Sequence, residues 1–450
     1  MKKTIIMLLV LLMTLTGCQK EEEPQGQFDK YDYSDYQITD REKPEPFVCP
    51  DIRDYMTDGK LGDTEPYSIA LAAYAKRNED LEENRKLNRK LESFYLTMMK
   101  TLLDGRENSV FSPLNLYFNL TALSCITQGQ ARDEILDLLG VDPNTAATEA
   151  KRLWTDNNVT GKATIKYANS MWFSDSLNVK KGILQTMAEE CCSDAYRGTM
   201  GTSEYSGAFQ KWLNDNTGGL LDEYISQLEL TADVRMALAS TIYYKGSWEE
   251  SYETENTRKE TFHGLNGDSE VSMMHKSGIM LYFDNDYFTG VVDHLGTGLE
   301  AMVMLMPKEG VSWQQMFASE EFRNAVLLNP NYNEDSFYPN VDLGLPRFDV
   351  SASYQLEDIL PELGITGIFG GQGDAFAPVT DGPLRVDTVQ HACRLKTDEE
   401  GVEAAAYTVE IQKYGMSMNR VEMTFDHPFF FALKTDYDNS IFFCGIVTQP

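Results

Sequence analysis

The sequence is poor in the residues and motifs on which most catalytic and metal sites depend. Its 450 residues include only five histidines and seven cysteines. It has no His-Glu-x-x-His pair, no Gly-x-Ser-x-Gly elbow, no P-loop and no dinucleotide-binding glycine fingerprint. No pair of cysteines shows the short spacing with histidine partners that is typical of a zinc site. We therefore expect no enzyme activity, no cofactor and no metal.

Basic residues are also scarce, with 39 Lys and Arg against 70 Asp and Glu, for a formal net charge of -31. Binding to nucleic acid needs clustered basic side chains that displace counterions from phosphates, so we expect no nucleic-acid partner. Hydrophobic residues make up 42% of the chain, which is enough to bury a substantial core.

The N-terminus has the pattern of an export signal. Lys2 and Lys3 precede an apolar run at 5–13, which spans about 14 Å as a helix and is too short to cross a bilayer core of about 30 Å. The run ends in Leu15-Thr16-Gly17-Cys18, which resembles the lipobox of bacterial lipoproteins. That resemblance implies a signal peptide at 1–17 and a lipid anchor on Cys18; the alternative is an ordinary secretory signal with a chance cysteine.

The segment after Cys18 predicts an acidic, lipid-anchored tether over residues 18–65. Its first residues, Gln19-Lys20-Glu21-Glu22-Glu23, resemble the acidic tract that directs some lipoproteins to the outer face of the outer membrane. The alternative is a simple solvated spacer. Residues 24–63 are rich in Asp, Tyr, Pro and Gly without sustained apolar periodicity, which is typical of a linker.

From residue 66 to residue 450 the pattern predicts one folded domain. Apolar residues recur at helical spacing from Leu91 to Leu102, and Gly105 follows as a stop. Runs typical of strands occur at 164–173, 236–245, 300–306 and 441–447. Because helices and strands are mixed without strict alternation, we expect an α+β fold.

Eight segments of this domain resemble the serpin family, in the order that the family has them. They are Asn108-Ser109-Val110-Phe111-Ser112-Pro113, Ala168-Asn169-Ser170-Met171-Trp172-Phe173, Trp212-Leu213-Asn214 with Thr217-Gly218-Gly219, Ile242-Tyr243-Tyr244-Lys245-Gly246-Ser247-Trp248, Val271-Ser272-Met273-Met274, Leu345-Pro346-Arg347-Phe348, Asp398-Glu399-Glu400-Gly401-Val402-Glu403-Ala404-Ala405-Ala406 and Asp426-His427-Pro428-Phe429. The resemblance implies the serpin fold: mixed β-sheets, a large central sheet surrounded by helices, and an exposed reactive-centre loop.

The resemblance implies that this loop inserts into the central sheet as a new strand after cleavage. The hinge from which it moves would comprise Glu399, Gly401, Val402, Glu403, Ala404, Ala405 and Ala406. The composition suits insertion: Gly401 can act as a pivot, the three alanines are small, and no proline occurs between Gly401 and Met418.

The bond that a protease would cut is less sharply defined. Counting from the hinge glycine gives Gly415-Met416, whereas counting back from Pro428 gives a bond one or two residues later. We order the candidates for the bait residue as Gly415, Tyr414 and Met416. Glu410 fits insertion poorly, because alternation from Val402 puts it on a face that would be buried.

The resemblance also implies a polar gate cluster beneath the central strands, with Ser112 and His391 as two members. Asn115 stands where the family usually has serine, and Ser240 where it usually has asparagine. Either the two roles have been exchanged across the cluster, or both positions have drifted independently. Trp248 corresponds to the region of the serpin sheet called the breach.

The sequence thus predicts a monomeric inhibitor of serine endopeptidases, or of cysteine endopeptidases, that acts as a suicide substrate. Its partners would be a target protease, in a covalent acyl-enzyme complex, and a membrane through the lipid anchor. We expect it in the cell envelope, anchored to the outer membrane and exposed at the surface. The alternative is a non-inhibitory serpin that acts as a binding or adhesion protein.

Overall fold

The computed structural model describes residues 26–39, 45–50, 55–57, 60–61, 65–84, 91–161, 163–296, 300–328, 337–370, 374–386, 389–402, 419–436 and 438–450. Its helices are α1 (Glu65–Asn84), α2 (Leu91–Leu102), α3 (Pro113–Ile126), α4 (Gly129–Leu139), α5 (Ala146–Asn157), α6 (Lys181–Glu190), α7 (Ser203–Thr217), α8 (Asp222–Ile225), α9 (Trp313–Ala318), α10 (Glu320–Phe322) and α11 (Leu356–Ile359). Its strands are β1 (Phe47–Cys49), β2 (Met56–Thr57), β3 (Lys60–Leu61), β4 (Ser109–Phe111), β5 (Val159–Gly161), β6 (Ala163–Ser174), β7 (Ser193–Gly198), β8 (Met236–Ser247), β9 (Arg258–Gly264), β10 (Gly267–Ile279), β11 (Leu281–Asp284), β12 (Phe288–Leu295), β13 (Glu300–Pro307), β14 (Asn340–Pro346), β15 (Phe348–Gln355), β16 (Gln390–Thr397), β17 (Gly401–Val402), β18 (Arg420–Thr424), β19 (Phe429–Thr435) and β20 (Ile441–Val447).

The elements predicted from periodicity are present. Helix α2 begins at Leu91 and ends at Leu102, and its periodic apolar side chains are all buried. The four predicted strands correspond to β6, β8, β13 and β20, whose ends differ from the prediction by at most two residues. Periodicity succeeded in these elements because each presents a continuous apolar face to the core.

Three larger sheets organise the domain. The central sheet has the strand order β1-β5-β6-β8-β17-β16-β15, and β7 pairs with β6. A six-stranded sheet has the order β11-β12-β13-β19-β20-β4, and a four-stranded sheet has the order β18-β14-β10-β9. Parallel and antiparallel pairs are mixed in the central sheet, where β6 is antiparallel to β8 and parallel to β7. These sheets and the helices around them confirm the predicted α+β fold with a large central sheet.

Helix α3 connects the central sheet to the six-stranded sheet, with contacts to β8 and β20. It is apolar on all sides, as expected for a helix inside a core. Its first turn is fixed by Ser112, whose hydroxyl accepts from the Asn115 amide, and by Pro113 at the first helical position. This start of α3 carries two of the predicted gate residues beneath the central strands.

Helix α7 packs on the opposite face of the central sheet, against β6 and β8. A second hydrophobic cluster forms between them, separate from the main core. In this cluster the indole of Trp172 stacks on Tyr196 at 4.2 Å between ring centroids and contacts Phe209 of α7 edge-on at 5.2 Å.

Part of the segment predicted to be a tether packs against this second cluster. Phe28 is only 4% exposed, and Thr39 is also buried. The linker prediction considered only what residues 24–63 could bury by themselves. The structure differs for residues 26–39 because they use an apolar surface that the domain already presents.

Two further N-terminal elements, β1 and α1, also contact the domain. Strand β1 pairs in parallel with β5 at the edge of the central sheet, and Phe47 of β1 stacks on Tyr74 of α1. Helix α1 begins at Glu65, beside the predicted domain boundary at residue 66. In the part of the chain that the structure describes, no helix has both the length and the apolar character needed to cross a membrane.

Candidate functional site: the hinge and the opening in the central sheet

The start of the predicted hinge is already a strand of the central sheet. Gly401 and Val402 form β17, in which Gly401 pairs with Ser247 and Val402 with Gly246 on β8. On the other side Val402 pairs with Thr397 of β16. The Val402 side chain is buried in the main core. The hinge therefore enters the sheet with two residues before the loop continues.

Gly401 is required at this point by the close approach of two backbones. A Cβ atom on Gly401 would lie 2.2 Å from the carbonyl oxygen of Gly246 and 2.7 Å from the Cα of Ser247. Both obstacles are backbone atoms, which cannot rotate away as a side chain could. The sequence singled out Gly401 as a pivot, and the structure adds that it is a point of contact with β8.

Three turn residues before Gly401 are held by the segment that follows β8. The indole Nε1 of Trp248 donates to the Asp398 carbonyl at 2.8 Å, and its backbone amide donates to the Glu400 carbonyl at 2.9 Å. The Tyr252 amide donates to the Glu399 carbonyl at 2.9 Å. Trp248, assigned to the breach, thus anchors the base of the hinge directly.

A buried ion pair supports these two aromatic rings. The Lys276 ammonium lies 2.7 Å from the Asp293 carboxylate, and both side chains are less than a tenth exposed. The ammonium also lies 4.3 Å from the centre of the Tyr252 ring and 5.2 Å from that of Trp248. The Tyr252 hydroxyl donates to Asp293 at 3.0 Å. Removing either charge would leave the other buried without its partner, which is strongly destabilising.

Glu399 is fixed by side chains from two other elements. The Arg347 Nε donates to its carboxylate at 3.0 Å, and the Thr257 hydroxyl donates to the same oxygen. Burial raises the pKa of Glu399, but the hydrogen bonds from Arg347 and Thr257 outweigh it, so the pKa lies below its ordinary value. Glu399 is therefore held as a carboxylate at neutral pH.

Below β17 the central sheet is open. No backbone pairing joins β8 directly to β16 among the described residues; β17 is the link between them. A cavity of about 340 Å³ occupies this region. Its lining includes Asn115 on the core side, Leu213 of α7 on the outer side, and residues 236–244 and 392–396 of the two strands. The cavity thus extends from one face of the sheet to the other.

The four predicted gate residues meet at the core side of this opening. Asn115 donates through Nδ2 to the Ser240 carbonyl at 3.0 Å, and the Ser240 hydroxyl donates to Asn115 Oδ1. The Ser112 hydroxyl accepts from the backbone amide of Asn115 at 3.2 Å, and the backbone amide of Ser112 donates to His391 Nε2 at 3.1 Å. The cluster connects α3 to both strands that border the opening.

His391 is neutral in this cluster. Burial lowers its pKa to about 3. Its Nε2 accepts from Ser112, which leaves the proton on Nδ1, and Cys393 Sγ lies 3.3 Å from the same nitrogen. Burial raises the pKa of Cys393 to about 12, so the thiol is neutral as well. The role of His391 here is to hold the backbone amide of Ser112, since no charged side chain contacts it in the described residues.

Other predicted site residues lie outside the described part of the chain. These are the later hinge residues Glu403, Ala404, Ala405 and Ala406, the reactive-bond candidates Tyr414, Gly415 and Met416, and the lipid-anchor residue Cys18. Their roles remain predictions from the sequence.

The short strand β17 at one end of an open central sheet, with a helix across one face and a polar cluster beneath the other, is the arrangement of the serpin fold. Solved structures agree. Native tengpin, a thermophilic serpin, is 21% identical with a TM-score of 0.72, over 81% of this chain and 94% of its own. Human thyroxine-binding globulin in complex with thyroxine is 19% identical with a TM-score of 0.70, over 81% of this chain and 99% of its own.

The chain belongs to the serpin family. The family model described as "Serpin (serine protease inhibitor)" matches residues 89–450. Among similar proteins, human neuroserpin is 28% identical over 363 residues, covering 76% of this chain and 86% of its own length. Serpin B6 of Pongo abelii is 26% identical over 379 residues, covering 80% of this chain and 98% of its own.

Proposed function

We propose that this serpin is a suicide-substrate inhibitor of serine endopeptidases, with cysteine endopeptidases as a second target class, and that it has no catalytic activity of its own. Its loop would be cut and would then insert as a full strand between β8 and β16. The observation that carries the proposal is the opening below β17, where the two strands are not paired and a cavity of about 340 Å³ lies between them.

The energy available from insertion is large. A new central strand of about a dozen residues would form about 10–20 backbone hydrogen bonds, each worth about 1 kcal/mol net. The gain of about 10 kcal/mol or more equals the stability of an ordinary domain, about 5–15 kcal/mol. The uninserted form is then held by a kinetic barrier. Inserting about 14 residues would carry the cut end about 45 Å.

The covalent step follows from protease chemistry. The protease serine Oγ attacks the carbonyl carbon of the bait residue, and the amide nitrogen of the next residue leaves with a proton as a new amine. The bait residue is then joined to the protease as an ester. Insertion at this stage would move the attached protease away and distort its active site before water can hydrolyse the ester.

The register of β17 supports insertion between β8 and β16, because β17 is antiparallel to both strands, and it identifies the residues that would pair with the inserted loop. Continued along both strands, it would bring Thr408 between Ser240 and His391, so that its hydroxyl joins the gate cluster. The same register would bring Glu410 between Leu238 and Val389, two apolar residues. Burying that carboxylate costs free energy, so we expect Glu410 to slow the last part of insertion.

Incubation of the soluble domain with a panel of serine and cysteine proteases tests the proposal. We expect a covalent complex that survives detergent on a denaturing gel, and the released peptide would identify the cut bond. The matched control is Ala404→Glu, which places a charge on the inserted face and should give cleavage without an adduct. Clean cleavage of the wild type by every protease, without an adduct, would instead favour a non-inhibitory binding or adhesion protein. The poor fit of Glu410 to insertion is consistent with that alternative.

We also propose that Cys18 carries a lipid and that the protein is exposed at the surface of the outer membrane. The basis is the Leu15-Thr16-Gly17-Cys18 pattern and the acidic tract after it. Mass spectrometry of the N-terminal peptide would show a diacylglycerol on Cys18, and Cys18→Ala would release the protein from membranes. Protease treatment of intact cells distinguishes the outer face from the periplasm, since only a surface-exposed domain would be accessible.

A further inference from the structure

Residues 26–39, named here the strap, lie against helix α7. The Tyr36 ring packs on Tyr205 of α7 at 4.9 Å between centroids, and Asp29 lies 3.6 Å from the Lys211 ammonium. Phe28 is buried in the cluster that α7 forms with the central sheet. The strap thus contacts the helix through an aromatic pair, an ion pair and an apolar anchor.

The other end of the strap is bonded to β7, which pairs with β6 of the central sheet. The Ile38 amide donates to the Ala195 carbonyl at 2.8 Å, and the Ala195 amide donates to the Thr39 hydroxyl at 2.8 Å. The Tyr33 ring packs edge-on against Tyr196 at 5.9 Å. The strap therefore ties α7 to one half of the sheet.

Helix α7 and the segment that follows it cover the opening where the loop would insert. Leu213 and Thr217 of α7 line the cavity, together with Tyr224 of α8. On the far side the Arg394 guanidinium donates to the Leu220 carbonyl at 3.2 Å, and the Tyr224 hydroxyl lies 3.2 Å from Ser351 Oγ. This cover must move before a strand can fill the opening.

We propose that the strap holds α7 over the opening and thereby slows insertion of the reactive loop, so that it helps to keep the uncleaved protein in its uninserted form. This inference rests on the proposed function, because it concerns the rate of the same insertion. The strap raises the barrier because its contacts with α7 must break, at least in part, when the cover moves. While α7 is displaced these contacts are absent, so the transition state for insertion lacks their stabilisation, and they can form again only after α7 returns.

A glycine within α7 supports a specific fit. Gly207 lies in the middle of the helix, where glycine is unfavourable relative to alanine. A Cβ atom on Gly207 would lie 2.3 Å from the Tyr31 ring of the strap. The helix therefore accommodates the strap at a position where a better helix former would displace the ring.

The test measures how fast the uncleaved, full-length protein converts on warming to a form that resists unfolding in urea. We expect Phe28→Ala to convert about tenfold faster than wild type or more, equivalent to about 1.4 kcal/mol of barrier. Asp35→Ala is the matched control, since Asp35 is an exposed strap residue, and it should convert at the wild-type rate. Gly207→Ala should also accelerate conversion, although it improves the helix, because it displaces Tyr31.

Slower or unchanged conversion of Gly207→Ala and Phe28→Ala would overturn the inference. If Phe28→Ala does not fold, Tyr31→Ala and Gly207→Ala decide the question. Wild-type protein with a cut loop is measured alongside. If its melting temperature rises while the strap variants convert at the wild-type rate, the strap inference fails and the proposed function stands. If the melting temperature does not rise, the proposed function itself fails.

Discussion

Exchanging Asn115 and Ser240 tests whether the gate cluster has swapped two roles. Asn115→Ser removes the amide that donates to the Ser240 carbonyl and the oxygen that accepts from the Ser240 hydroxyl. Asn115 is 3% exposed, so water cannot replace these partners freely. Two hydrogen bonds at about 1 kcal/mol each, plus the cost of unpaired groups, give a loss of about 2–4 kcal/mol.

Ser240→Asn alone adds volume to a packed site and should cost about 1–3 kcal/mol. In the double variant the amide and the hydroxyl have changed places, so the pair can form again. We expect the double variant to lie within about 1 kcal/mol of wild type, measured by the urea midpoint at an unchanged m-value. A double variant whose loss equals the sum of the single losses would refute the exchange and favour independent drift.

Three further predictions concern the hinge and the gate. Burial depresses the folded-state pKa of His391 to about 3, whereas the unfolded chain binds a proton below about pH 6.5, so the wild type loses stability as the pH falls from 7 to 5. His391→Gln should lose about 2 kcal/mol less unfolding free energy over this range. An equal dependence of unfolding free energy on pH in the two proteins, measured by urea unfolding at each pH, would contradict this. Gly401→Ala should push β17 away from the Gly246 carbonyl and the Ser247 Cα of β8, at a cost of about 1–3 kcal/mol. Hydrogen exchange of peptide 398–402 should then become about tenfold faster or more, and unchanged protection would rule out the close approach. Glu399→Gln should also speed hydrogen exchange of this peptide at pH 7, where the carboxylate bonded to Arg347 is ionised. The difference from wild type should vanish as the pH falls through the lowered pKa of Glu399. A difference that persists in acid would exclude the charge as its cause.

The sequence predicted those parts of the fold that carry their own pattern. Strands such as β8 and β20 were predicted to within two residues, because both are rich in apolar and β-branched or aromatic residues. The gate cluster was predicted from a family resemblance, since Ser112 and His391 lie 279 residues apart and periodicity says nothing about such a contact. The structure shows that all four predicted gate residues are in contact, but their role in opening the sheet stays a prediction.

The contacts that escaped sequence reasoning depend on a partner elsewhere in the chain. Lys276 is a charged residue in a strand, and nothing local distinguishes it from a solvated lysine; its buried position requires Asp293, Trp248 and Tyr252. The strap escaped for a similar reason. Its tyrosines have no periodicity, and their burial is decided by the surface of α7. A run of four aromatic residues within nine positions, 28–36, was the available signal.

The melting temperature of the protein before and after a single cut within residues 403–418 tests the central claim most directly. If the opening between β8 and β16 receives the loop, the cut protein gains about 10 kcal/mol or more of strand pairing, and its melting temperature should rise by about 10 °C or more. A cut protein that melts at or below the temperature of the intact one would contradict insertion, even with the fold unchanged.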